Sequence, residues 1–234
     1  MTDTVSPELL MGAGIYTLPE ASRLTHIPVA KLRRWLRGYS RGADARQRPV
    51  FERDFPDLPE GAAISFLDLV EALFIDAFHR HGVSWKHIRE SAVEAAGLFG
   101  TNHPFAVRRF ETDGRRIFAT ILKKDEAADE RTIDLVSRQA VFREVFAPLM
   151  KQLDYDLETD AVARWWPLGR SMPVVVDPER ARGVPVGQTS GVPTHVLARA
   201  VAAEGGDVDR VARWYEVPRR EVVAAVELEK PLAA

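Results

Sequence analysis

The sequence predicts a mainly α-helical chain with three parts: a helix-turn-helix N-terminal domain, a small α+β middle domain, and a C-terminal helical domain that again has a helix-turn-helix outline. Three observations predict it. Residues 16–39, YTLPEASRLTHIPVAKLRRWLRGY, read as a short helix, a tight turn and a strongly basic second helix. Apolar residues recur at helical spacing from 65 to 100, from 140 to 155 and from 194 to 228. Between 104 and 172 the period shortens and turn residues multiply, as in short strands.

Residues 1–13 are expected to be a flexible tail that ends at Gly12 and Gly14. Thr17 and Glu20 have capping-box spacing, and Leu18, Ala21 and Leu24 share one face of the helix they open. Thr25, His26 and Ile27 form the turn, with Ile27 placed to plug between the helices. Pro28 suits the start of the second helix, whose first amides lack intrahelical partners. Leu32 and Trp35 or Leu36 then point inward, whereas Lys31, Arg33, Arg34 and Arg37 point elsewhere. Arg23, Arg41, Arg46 and Arg48 flank these, opposed only by Glu20 and Asp44, which gives the electrostatic footprint of a double-stranded DNA binder. Lys31 and Arg34 come from the early, groove-facing part of the helix and are the candidates for base edges. Arg33, Arg37, Arg41 and Arg48 are the candidates for phosphates.

Residues 40–63 are rich in Arg, Pro, Gly and Asp and have no helical period. Ser65 is a good N-cap, with Asp68 three residues on, for a helix whose stripe is Phe66, Leu69, Val70, Leu73, Phe74 and Ala77. Ser84 caps another, with Trp85, Ile88, Val93 and Ala96 available for burial. A DNA-binding domain over 14–100 is therefore expected. In the middle domain, 101–172, FAVRRF and RRIFATIL flank Thr112-Asp113-Gly114 and predict a β-hairpin. TIDLVS (132–137) is a further strand candidate, 140–155 a helix that Pro148 kinks or divides, and AVARWWPLG and PVVVDP two extended runs. In the C-terminal domain, 173–234, Thr194 and Asp207 are expected to cap two helices, and PRREVVAAVELE to form the last. The expected core is Leu197, Ala200, Val201, Val208, Val211, Ala212, Tyr215, Val222, Val223 and Val226.

The formal net charge of -2 does not suggest a nucleic-acid partner; the crowding of basic residues into 23–48 does. With no cysteine, disulfides, thiolate metal sites and thiol nucleophiles are excluded. No apolar run approaches a membrane span and no signal peptide is evident, so a cytoplasmic protein without a membrane partner is expected. His79, His81 and His87 lack a carboxylate or cysteine cluster at ligand spacing, and positions i and i+2 on a helix do not face each other. Gly183–Gly187 lacks the lysine and hydroxyl of a phosphate loop, and Ser190-Gly191 is no nucleophile elbow. Trp165 and Trp166, as adjacent strand residues, point to opposite faces and make no base-stacking platform. No enzyme, cofactor or metal is expected.

Thr17, Glu20, Ala21, Ile27, Leu32, Arg33 and Trp35 resemble the opening of the MerR-type winged helix-turn-helix, T-x-x-E-A-x-x-x-G-V-x-x-x-T-L-R-x-W. His26 replaces its turn glycine, which calls for a bulkier residue in the left-handed region, and Pro28 replaces its capping serine. Gly82, Ser84, Ile88 and Arg89 continue the match. The resemblance implies a wing within 40–63; by their residues alone, a hairpin and a solvated loop stay equally open there. The long coiled coil of true MerR regulators is missing, because Gly97, Gly100 and Pro104 break the pattern. Asp177, Pro178, Gly183, Pro185, Gly191, Pro193, Leu197, Gly205, Val211, Ala212, Tyr215, Val217, Val222 and Ala225 are similar, in order, to the small C-terminal domain of VapB-type antitoxins. Together the two resemblances point to the MerR-headed branch of that family. They imply a DNA-binding antitoxin that neutralises a PIN-domain ribonuclease toxin and represses its own operon by binding its operator. A homodimer is expected, because one helix-turn-helix reads only a few base pairs. The alternative is a stand-alone MerR-like regulator sensing a small ligand in the middle domain, and a more remote one is a subunit of a nucleic-acid-modifying enzyme.

Overall fold

The computed structural model describes residues 14–37, 39–40, 46–47, 49, 54–55, 63–111, 113–114, 117 and 146–230. They are mainly helical, with four small two-stranded sheets among them, and β1 (Ile15–Tyr16) and β4 (Ile64–Ser65) are two of the short strands. The chain divides into two compact units. One holds Thr17–Met150 and Tyr155–Val162; the other holds Lys151–Asp154, Ala163–Ala234 and the described residues before Thr17.

The first unit opens with α1 (Leu18–Thr25) and α2 (Val29–Arg37). Thr17 and Glu20 form the capping box that their spacing predicts. His26 ends α1 in the left-handed region, at φ 58°, and Ile27 is fully buried between the helices. Beyond α2, β2 (Tyr39–Ser40) pairs antiparallel with β3 (Arg46–Gln47), Tyr39 opposite Gln47, so a hairpin stands where a wing and a loop were both open.

Next come α3 (Phe66–Arg80), with a Ser65–Asp68 capping box, and α4 (Trp85–Phe99), capped by Ser84. Phe74 and Phe78 of α3 gather Phe105, Phe110 and Phe146 around them. Phe74 stacks on Phe146 with centroids 5.6 Å apart, and Phe105 meets Phe110 edge-on at 4.9 Å. Aromatic pairs in such geometry contribute about 0.5–1.5 kcal/mol each beyond their burial. On α4 only one side is covered: Ile88, Ala92 and Ala95 are buried, whereas Val93, an expected core residue, is 74% exposed.

The hairpin expected across Thr112–Gly114 is not formed. Arg109, Phe110, Glu111, Asp113, Gly114 and Ile117 are helical. Phe110 and Ile117 are both buried and lie seven residues apart, a separation that returns to the same helix face. The Phe110 ring occupies the space a Cβ at position 114 would need, at 2.6 Å, so Gly114 serves packing rather than a turn. The strand candidate at 132–137 lies outside the described residues. The helix expected over 140–155 is helical at 146–150 and has ended by β5 (Leu153–Tyr155), which pairs with β6 (Val162–Trp165). The turn at the end of that pair is held by Asp156, whose Oδ1 accepts from the Glu158 and Thr159 amides.

In the second unit, β7 (Val174–Val175) and β8 (Val186–Gly187) pair antiparallel. Three helices follow: α5 (Thr194–Ala203), α6 (Val208–Trp214) and α7 (Arg219–Leu228). Their core is Leu197, Val201, Val211, Val217, Val222 and Ala225. Asp207 caps α6 as expected. Thr194 does not cap α5 but is its first residue, with its hydroxyl donating to Glu229 Oε1 at 2.5 Å. Tyr215 and Val223, expected inside, are exposed, because the turn after α6 and the outer side of α7 carry them outward. Glu221, fully buried, accepts from the Thr189 amide at 2.6 Å and the Ser190 amide at 3.2 Å. A Cβ at Gly187 would lie 2.2 Å from Glu221 Oε2, so that loop is built around the carboxylate.

Candidate nucleic-acid interface

The basic helix α2 is held by one face. Leu32, Trp35 and Leu36 are buried, and Trp35 packs on Trp85 of α4 with ring centroids 5.6 Å apart. Steps of about 100° per residue put positions 30, 33, 34 and 37 on the opposite side of the cylinder. Ala30, Arg33 and Arg34 are exposed there, and Arg37 shares that face by its position in the helix.

Lys31 is placed differently. Its Nζ lies 2.8 Å from Asp76 Oδ1 and 5.3 Å from the centre of the Trp35 ring, and its side chain keeps 29% exposure. Asp76, buried on α3, also receives Arg80 one turn along. Lys31 thus fastens α2 to α3 instead of standing with the exposed arginines. Arg23 is half-buried on α1, Arg46 lies in β3, and Arg41 and Arg48 lie outside the described residues.

The burial of the acids of α3 has no signature in residue spacing. Asp68, Glu71 and Asp76 are all buried in the helix FLDLVEALFIDAF. Beyond Asp76's role as the Lys31 anchor, Glu71 Oε1 accepts from the Phe105 and Ala106 amides at 2.7 and 3.0 Å. His103 Nε2 sits 2.8 Å from Asp54 Oδ1, and its Nδ1 sits 3.9 Å from Asp68 Oδ1. Burial pushes the Glu71 carboxyl up to about 8 and the Asp68 carboxyl up to about 6. Burial opposes the His103 proton, but the Asp54 hydrogen bond and the surrounding carboxylates outweigh it and raise the pKa. No sequence spacing links positions 54, 68 and 103. The available signal was three acids in an otherwise apolar helix. The histidines weighed in the sequence lie elsewhere: His79 against Trp85, His81 on the Ala77 carbonyl, His87 on the Ser84 hydroxyl.

Residues 14–92, which contain the helix pair, match the family described as "Putative DNA-binding HTH domain". A Mycobacterium tuberculosis protein named "Putative antitoxin VapB45" is 31% identical over 198 residues, 79% of this chain and 81% of that protein. The crystal structure of Rv2018 from Mycobacterium tuberculosis superposes with a TM-score of 0.69 at 25% identity, covering 90% of this chain and 96% of that one. No helix among the described residues is long and apolar enough to cross a membrane.

Proposed function

This chain belongs to the VapB-type antitoxin family and carries a helix-turn-helix DNA-binding domain, and we propose that it neutralises a PIN-domain ribonuclease toxin and represses its own operon. The observation that carries the reading is the match to an antitoxin over most of both chains, with the DNA-binding domain at its N-terminal end. The ribonuclease chemistry belongs to the toxin, and this chain is no enzyme; it supplies a basic face for DNA and a protein surface for the toxin.

In this reading the MerR-like α2 lies in the major groove with Arg33, Arg34 and Arg37 toward the duplex. Arg23 of α1 and Arg46 of β3, together with Arg41 and Arg48 of the same basic stretch of sequence, serve neighbouring phosphates. A homodimer places two such helices on half-sites about one helical turn apart. The toxin surface lies outside residues 16–48. Co-expression with the neighbouring reading frame, followed by pull-down and gel shift on the upstream DNA, tests all of this. The expected result is a stable complex with a small ribonuclease that shifts operator DNA; a chain that captures no partner and ignores its upstream DNA overturns the reading.

A further inference from the structure

Seven buried side-chain polar atoms among the described residues of the first unit have no hydrogen-bond partner, and three of them, Asp68 Oδ1, Glu71 Oε2 and His103 Nδ1, belong to groups that interact electrostatically. Asp68 and Glu71 are wholly inaccessible, one turn apart on α3, and His103 is 5% exposed. Leaving such atoms unpaired costs about 1–3 kcal/mol each, and more for charged groups. Asp68 Oδ1 and His103 Nδ1 face each other across 3.9 Å. That gap is too long for a hydrogen bond. It is spanned by two metal–ligand bonds of about 2.0–2.2 Å after a closure of roughly half an ångström. On its other side the imidazole is held by Asp54 at 2.8 Å, the arrangement in which a carboxylate fixes a ligating histidine's tautomer and orientation. Ligand atoms of Asp54, Asp68 and His103 all lie within 4.8 Å of one another. Three carboxylates around one imidazole also leave the pocket short of positive charge, which buried acids require.

We propose that the protein binds one divalent transition-metal ion between His103 Nδ1 and Asp68 Oδ1, with Asp54 positioning the imidazole through Nε2. Imidazole and carboxylate donors without a thiolate suit zinc, manganese or ferrous ions and disfavour soft ones. The three groups come from the segment before α3, from α3 itself and from the segment after α4, so the ion fastens the helix behind the recognition helix to its neighbours.

The test uses the full chain, stripped with chelator and titrated with zinc chloride or manganese chloride by calorimetry, with metal content read by mass spectrometry. Expected are one ion per chain and a rise in Tm of several degrees. Asp68→Asn and His103→Gln should each lower affinity at least about 100-fold, and Asp54→Asn roughly 10–100-fold, the usual effect of a residue that orients a ligand. The double variant His81→Ala/His87→Ala should keep both stoichiometry and affinity. If Asp68→Asn or His103→Gln does not fold, pulsed electron paramagnetic resonance of manganese bound to the His81→Ala/His87→Ala variant decides: one coupled imidazole nitrogen supports the site, and none overturns it. Binding no tighter than about 100 μM, binding lost with His81 and His87 instead, or affinity unchanged in Asp68→Asn and His103→Gln overturns it equally, and leaves protons alone as the counter-charge.

Discussion

Lys31 and Arg34 are both cations of the basic helix, yet replacing them should have opposite consequences. Lys31→Ala removes one of the two cations that meet buried Asp76. Stripping a partner from a fully buried ion pair costs about 3–5 kcal/mol. Here Lys31 keeps 29% exposure and Arg80 remains on the carboxylate, so the loss is smaller, about 1–2 kcal/mol. At roughly 2–4 °C per kcal/mol for a chain of this size, Tm should fall by about 2–8 °C. Operator affinity, measured on protein still folded at the assay temperature, should change little. Arg34 is exposed, and Arg34→Ala should leave stability within about 0.5 kcal/mol. It should relax preference at one base pair by roughly 1–3 kcal/mol if it reaches a base edge, or reduce the salt slope of binding by about one if it reaches a phosphate. Thermal melts and fluorescence-anisotropy titrations from 50 to 200 mM salt separate the two. A Lys31→Ala protein with normal Tm and an operator defect matching that of Arg34→Ala would show instead that Lys31 leaves Asp76 to read DNA.

Other expectations follow from single groups. Arg37→Ala should weaken specific and random DNA alike and flatten the salt dependence; undiminished binding of both DNAs would remove it from the contact face. In chelator-treated protein, Glu71 and Asp68 have raised pKa values, so the stability they contribute is complete below about pH 4 and is lost as pH rises through 6 to 8. Tm should therefore decline from pH 5 to pH 9, and Glu71→Gln, which cannot ionise, should remove most of that decline; parallel curves for the two proteins would contradict it. Glu221→Ala should free the 187–190 loop and lower stability by about 2–4 kcal/mol, with partial rescue by Glu221→Gln, whereas an unchanged melt would show the buried carboxylate to be dispensable. Deleting 173–234 should abolish toxin neutralisation while residues 14–100 still fold; full protection by a fragment ending near Gly100 would misplace the toxin surface.

Local chemistry was legible wherever it depended on neighbours in sequence. The Thr17–Glu20 and Ser65–Asp68 capping boxes, the left-handed His26, the Ile27 plug and the Asp207 cap all follow from residue types at short spacing. The failures arose where tertiary packing decides. Thr112-Asp113-Gly114 has turn chemistry, but burial of Phe110 and Ile117 on one side rewards a helix. Tyr215 and Val223 are apolar enough for a core, but Tyr215 falls in the turn after α6 and Val223 on the outer side of α7. The basic helix was recognisable by its arginines. That Lys31 is turned onto Asp76 was not, because its anchor stands 45 residues away on a helix whose other residues are mostly apolar. Likewise the Asp54–Asp68–His103 cluster is made by folding, and only the unexpected acids within α3 announce it.

The proposed function is that of a DNA-binding antitoxin acting on a ribonuclease. Growth of cells in which the neighbouring reading frame is induced, alone and then together with this chain, tests it most directly. Expected are arrest by the neighbour alone, full recovery with the wild-type chain, and recovery also with Arg33→Ala/Arg34→Ala/Arg37→Ala, whose defect is confined to DNA. A harmless neighbour, or an arrest that this chain does not relieve, would contradict it.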